Sequence, residues 1–119
     1  MKAVAVALAA VAVLAACGGS GGSQPAGSTK VSLSEFKFDP SSLTVPHGKV
    51  VFWLVNSGNV AHDLGIRDSS GNRVAISELI SAGDSKEFDV NDLAAGTYTI
   101  YCSQPGHEAS GMKGTLTVT

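Results

Sequence analysis

An all-β sandwich of two sheets, with about seven or eight short strands, is the fold this sequence predicts. From Lys30 onward, runs rich in Val, Ile, Phe, Tyr and Thr are separated by clusters of Gly, Pro, Asn, Asp and Ser. Several runs alternate strictly: Tyr98, Ile100 and Cys102 share one phase and Thr97, Thr99 and Tyr101 the other, and Leu116 and Val118 oppose Thr115 and Thr117. One apolar and one polar face is what a sheet packed on a core requires. No segment carries an apolar helical period of ten or more residues.

The chain of 119 residues opens on a segment that does not belong to that fold. Met1-Lys2 is a short positive start, and Ala3 to Leu14 is apolar throughout. A bilayer span needs about 20 such residues, so this stretch fits the core of a secretory signal. Leu14-Ala15-Ala16-Cys17 follows it and resembles the bacterial lipoprotein box. That resemblance implies a signal peptide over 1–16 and a lipid-modified Cys17, which would anchor the protein to a membrane. A plain signal peptide, with Cys17 left as a free thiol, is the competing reading. Residues 17–28, ending GGSGGSQPAGS, lack apolar periodicity and read as a flexible tether. The domain proper is expected over 29–119.

The expected strands run Lys30–Phe38, Ser42–Val45, Lys49–Asn56, His62–Arg67, Arg73–Ser77, Ser85–Val90, Thr97–Cys102 and Gly114–Thr119. Turn signals fall between them at Asp39-Pro40, Pro46-His47-Gly48, Ser57-Gly58-Asn59, Ser70-Gly71-Asn72, Ala82-Gly83-Asp84 and Ala95-Gly96. Val50–Val55 is apolar at every position and reads as a central strand, where Trp53 packs in the core or at its rim. Formal net charge is −2, which supplies no basic stripe and argues against nucleic acid as a partner. The acidic set Asp84, Glu87, Asp89 and Asp92 reads as a solvated face, and His47 as a surface turn residue.

Chemistry concentrates near the C-terminus. Tyr101-Cys102-Ser103-Gln104-Pro105-Gly106-His107-Glu108-Ala109-Ser110-Gly111-Met112 places Cys, His and Met five residues apart and then five again, in one loop between two strands. Pro105 and Gly106 can bend His107 back toward Cys102, and Gly111 can turn Met112 inward. A second imidazole, His62, follows the Ser57-Gly58-Asn59 turn. Two His, one Cys and a weak Met form the ligand set of a trigonal copper site with a long axial bond. Soft sulfur suits Cu(I) and imidazole suits Cu(II), so a site fixed between the two preferences changes metal charge with little movement.

This loop resembles the C-terminal copper loop of the cupredoxins, the blue copper proteins. Phe36-Lys37-Phe38-Asp39-Pro40-Ser41-Ser42-Leu43-Thr44-Val45-Pro46-His47-Gly48 and Asn56-Ser57-Gly58-Asn59-Val60-Ala61-His62-Asp63 are similar to earlier stretches of the same family. The resemblance extends over roughly residues 31–119. It implies a Greek-key cupredoxin sandwich and one type 1 copper ion on His62, Cys102, His107 and Met112. Asp63 stands where many members carry Asn, and it can still accept hydrogen bonds, from Ser103 for instance. His107 is the ligand implied to lie nearest the surface, among Pro105, Gly106 and Ala109, with Glu108 facing solvent.

The implied function is one-electron transfer by a monomer anchored outside the cytoplasmic membrane, in the periplasm or at the cell surface. Its partners would be redox proteins, a cytochrome or a copper enzyme, meeting it at a small transient interface near His107. Copper storage, delivery or resistance is the alternative, although the chain lacks a Met-rich tract. An enzyme with a second copper centre would need more than the three histidines present.

Overall fold

A computed structural model describes residues 22–119, so the signal and lipid-anchor readings, with Cys17, lie outside the described residues. Nine strands form, and among the described residues there is no helix: β1 (Thr29–Ser34), β2 (Lys37–Asp39), β3 (Ser42–Val45), β4 (Gly48–Asn56), β5 (Gly65–Arg67), β6 (Arg73–Ile76), β7 (Ser85–Leu93), β8 (Gly96–Tyr101) and β9 (Lys113–Val118). They make two sheets, ordered β2-β1-β4-β7 and β3-β9-β8-β5-β6. The pairs β1·β4 and β3·β9 are parallel and the others antiparallel. The chain therefore crosses between sheets, as a sandwich closed by Greek-key connections must.

Inward phases of both sheets meet in one apolar core. Val31 and Leu33 of β1, Phe52 and Leu54 of β4, Ile66 of β5, Ile100 of β8 and Leu116 of β9 are sealed from solvent there. The continuous run of β4 sits between β1 and β7, the central place its composition predicts. Trp53 takes the opposite phase to Phe52 and Leu54. It is buried at the rim, outside the main cluster, beside a cleft of about 390 Å³ lined also by Gly22, Ser23, Pro25 and Glu87. The end of the tether is thus not free coil: Ser28 Oγ donates to Pro25 O (2.6 Å) in a turn next to the indole.

Three strand expectations need correction. The single strand read over Lys30–Phe38 is two, with Ser34 facing Lys37 across a tight hairpin at Glu35-Phe36. No Gly or Asn marks that turn, so the alternation of Phe36 with Phe38 disguised it. The strand read over His62–Arg67 begins only at Gly65. His62 instead exchanges backbone bonds with Ile80, at 3.0 and 2.8 Å, and the Leu64 N–H goes to Ser77 Oγ (3.0 Å). Finally, β7 runs on to Leu93 past a shift in register opposite Gly48. Asp92, in the left-handed region at φ 53°, lies in that stretch.

Candidate metal centre

Four elements converge at one end of the sandwich. The β8–β9 loop is closed at its base by the Cys102 N–H, which donates to Met112 O (3.1 Å), so its first and last sulfur-bearing residues face each other. Inside the loop His107 N–H donates to Gln104 O (3.1 Å) and Met112 N–H to His107 O (3.1 Å). Two turns bring this about, with Gly106 at φ 79° and Gly111 at φ 112°, values that a side chain would strain. The His62 loop is held from below by Asn56, a buried amide at the end of β4. Its Nδ2 donates to Val60 O and Ile80 O, both at 2.8 Å, and its Oδ1 accepts from Gly58 N–H (2.9 Å).

These loops bring His62 against Cys102 and His107, which lie 40 and 45 residues further along the chain. His62 Nδ1 lies 3.1 Å from His107 Nδ1 and 3.9 Å from Cys102 Sγ, and Cys102 Sγ lies 3.5 Å from His107 Nδ1. Trigonal bonds of about 2.0 Å to nitrogen and about 2.3 Å to sulfur would separate the donors by about 3.5 Å (N to N) and about 3.7 Å (N to S). The observed triangle fits one first-row metal ion at its centre. His62, Cys102 and Met112 are all sealed from solvent, whereas His107 is half-buried. Burial, first, pushes the Cys102 thiol above its ordinary 9.0, and the Asp63 charge adds to this, while backbone amides pull the other way. The thiolate that a metal needs is therefore formed on binding, with release of a proton.

The surrounding carboxylates tie the loops to one another. Asp63 accepts from the Ser103 N–H (2.7 Å), the Ser103 hydroxyl and Gln104 Nε2 (3.3 Å), so Ser103 is the partner expected of it. Glu35, from the β1–β2 hairpin, accepts from the Asn59 and Val60 amides and meets His62 Nε2 at 3.2 Å. The Asn59 amide, first, with Glu35's own amide, that of Val60 and the His62 ring, lowers its carboxyl to about 2. Glu108 is not simply solvent-facing. It is half-buried in a two-pronged ion pair with Arg67, whose second contact joins Nη1 to Oε1 at 2.8 Å, and Arg67 holds its carboxyl below the usual range. The Arg67 guanidinium also stacks 4.6 Å from the centre of the Tyr101 ring.

Glu35 and Arg67 lie in no motif, and Phe36 and Asn56, although inside the family-like stretches, carry no sign there of a part in the site. Phe36 sets its ring edge-on to His107, 5.1 Å between centroids, and is 40% exposed. It widens the apolar rim of exposed Pro105, Gly106 and Ala109 around that histidine. His47 is a surface residue as expected, its Nδ1 2.8 Å from Thr119 O, and Glu87, Asp89 and Asp92 are solvated.

Comparison with known proteins places this geometry. Plastocyanin of Scenedesmus fuscus is 38% identical over 89 residues, which cover 68% of this chain and 85% of that protein. Azurin of Pseudomonas fluorescens biotype A is 56% identical over 48 residues, covering 38% of this chain and 37% of azurin's length. Auracyanin A, a "blue" copper protein from Chloroflexus aurantiacus, shares the fold with a TM-score of 0.69 at 24% identity, over 77% of this chain and 98% of that one. His62, Cys102, His107 and Met112 are arranged as a type 1 site, whose cofactor is one copper ion. Residues 5–118 match the family model for a cupredoxin-like domain. That span takes in every strand of both sheets and both ligand loops, and the chain therefore belongs to the cupredoxin-like family.

Proposed function

We propose that the protein is a one-electron carrier in which His62, Cys102 and His107, with the Met112 thioether as a weaker donor, would hold a copper ion. The observation that carries this reading is the Nδ1–Nδ1–Sγ triangle, closed from solvent on every side but that of His107. Bound copper would supply a Cu(II)/Cu(I) couple. The chain's part is to keep the donors still. Asp63 locks the His62 loop to the residue after Cys102, and the Arg67–Glu108 pair locks the residue after His107 to β5. With the ligands fixed by hydrogen bonds to rigid strands, a change of charge demands little reorganisation.

Partners, a cytochrome or a copper enzyme, dock on the rim of Phe36, Pro105, Gly106 and Ala109, where the imidazole of His107 comes nearest to them. A patch of this kind suits a small, quickly released interface of under about 1,200 Å². Asp63 and Ser103 act as the outer support of the site. Lipid on Cys17 anchors the protein outside the cytoplasmic membrane, in the periplasm or at the cell surface, and the protein works there as a monomer without catalysing a reaction of its own.

The test is to add Cu(II) to the purified protein and record its visible absorption and electron spin resonance. An intense thiolate-to-copper band with narrow hyperfine splitting is expected, and Cys102→Ser abolishes it. A band that survives this substitution refutes the assignment. Rapid reduction by a cytochrome, with copper retained against a weak chelator, separates an electron carrier from a copper-delivery protein.

A further inference from the structure

The β1–β2 hairpin sends a carboxylate into the loop that carries His62. A single oxygen of Glu35, Oε1, accepts from Asn59 N–H (2.7 Å) and Val60 N–H (3.0 Å) and stands 3.2 Å from His62 Nε2. Gly58 leaves room for it: a Cβ at that position would lie 2.6 Å from the same oxygen. Glu35 therefore has a built seat, made of two backbone donors and a missing side chain, against a fully enclosed imidazole.

An ionised carboxylate can only accept, so the ring nitrogen that faces it carries the proton. In a neutral imidazole the other nitrogen, Nδ1, then presents its lone pair. That nitrogen is the one aimed at His107 Nδ1 and Cys102 Sγ. A carboxylate behind a ligating histidine also raises its basicity, and a negative charge there favours the more highly charged metal ion. The geometry points to Glu35 as a positioning residue of the metal centre: clamped by the Asn59 and Val60 amides, it selects the Nε2–H tautomer of His62 and biases the site toward Cu(II). This rests on the copper reading above, but its first consequence concerns the protein without metal.

The experiment uses the full chain, unsubstituted and as Glu35→Gln and Glu35→Ala, each metal-free and copper-loaded. Gln keeps an accepting oxygen and the volume but removes the charge. In the metal-free protein, nitrogen NMR of the His62 ring should show Nε2 protonated and Nδ1 bare. Glu35→Gln should keep that tautomer and Glu35→Ala should lose it. With copper, Glu35→Gln should raise the reduction potential while keeping the thiolate band, and Glu35→Ala should weaken Cu(II) binding by about 10–100-fold. An unchanged potential in Glu35→Gln overturns the inference, and so does a His62 that carries its proton on Nδ1 in the unsubstituted protein. Should Glu35→Ala fail to fold, those two readouts decide alone. An unsubstituted protein without the thiolate band would sink the copper reading instead, and the ring-proton measurement would still judge Glu35.

Discussion

Replacing Asp63 separates bracing from charge, because its two oxygens hold the His62 loop and the Cys102 loop together. Asp63→Ala removes the acceptor for the Ser103 N–H at 2.7 Å, the Ser103 hydroxyl and the weaker Gln104 amide at 3.3 Å. Bonds to a charged partner contribute about 1.5–3 kcal/mol each. Ser103 is exposed, so water recovers part of that for the hydroxyl. The expected loss is therefore about 2–4 kcal/mol, dominated by the Ser103 amide. For a domain of this size that lowers Tm by roughly 8–30 °C, at 4–8 °C per kcal/mol. Asp63→Asn behaves differently. Its Oδ1 still accepts from the Ser103 N–H, and its Nδ2 can donate to the hydroxyl, so stability should fall by less than about 1.5 kcal/mol. Loss of the negative charge beside the buried thiolate should nevertheless raise the reduction potential. The assays are chemical denaturation of the metal-free protein and redox titration of the loaded one. An Asp63→Ala protein within about 0.5 kcal/mol of the original, the scatter of ordinary surface substitutions, would refute the view that Asp63 couples the two loops.

Met112→Leu nearly conserves volume and should keep the fold, at a loss below about 1.5 kcal/mol, while the potential rises because a donor to the oxidised metal is gone. A redox titration that shows no change would mean that Met112 does not contribute a donor to the metal. Gly114→Ala would put a Cβ 2.2 Å from the backbone oxygen of Ser41, which also accepts from Thr115 N–H at 2.8 Å, so β9 or the Ser41 peptide must move. Overpacking of about 1–3 kcal/mol plus a weakened bond of about 1 kcal/mol should appear as a Tm lower by roughly 8–30 °C, and an unshifted melting curve would contradict the packing described.

The ligands were legible because their signal is chemical and local. Cys102, His107 and Met112 share one loop at fixed spacing, and the strands on either side alternate cleanly enough to place that loop at the end of a sheet. The carboxylate and amide that support His62 carried a signal too, but a different one. Val31 and Leu33 set the inward phase of β1, and Glu35 falls in the same phase. Val50, Phe52 and Leu54 set the inward phase of β4, and Asn56 falls in it. A polar residue in an apolar phase must find partners once buried, and among the described residues every buried side-chain nitrogen and oxygen has one. Which partners they find depends on loops meeting across some twenty to thirty residues, as Glu35 with His62 and Asn56 with Ile80 do, and no local pattern encodes that. The same holds for Arg67, whose guanidinium reaches Glu108 only because β5 lies beside β8.

The division of labour between the two sheets explains why the site opens in one direction only. Cys102 and Met112 terminate the paired strands β8 and β9, where Tyr101 faces Lys113, so they can move apart only if the sheet breaks. His62 is pinned by Ile80 in front, Asn56 below and Glu35 behind. His107 alone of the four sits at the far bend of its loop, braced by a Phe36 edge and by its neighbour's ion pair instead of by a ladder. The ligand least bound to the scaffold is thus also the one that solvent can reach. Fixing three donors and exposing the fourth gives a centre that is both preorganised and accessible, the two properties that the proposed electron carrier needs at once.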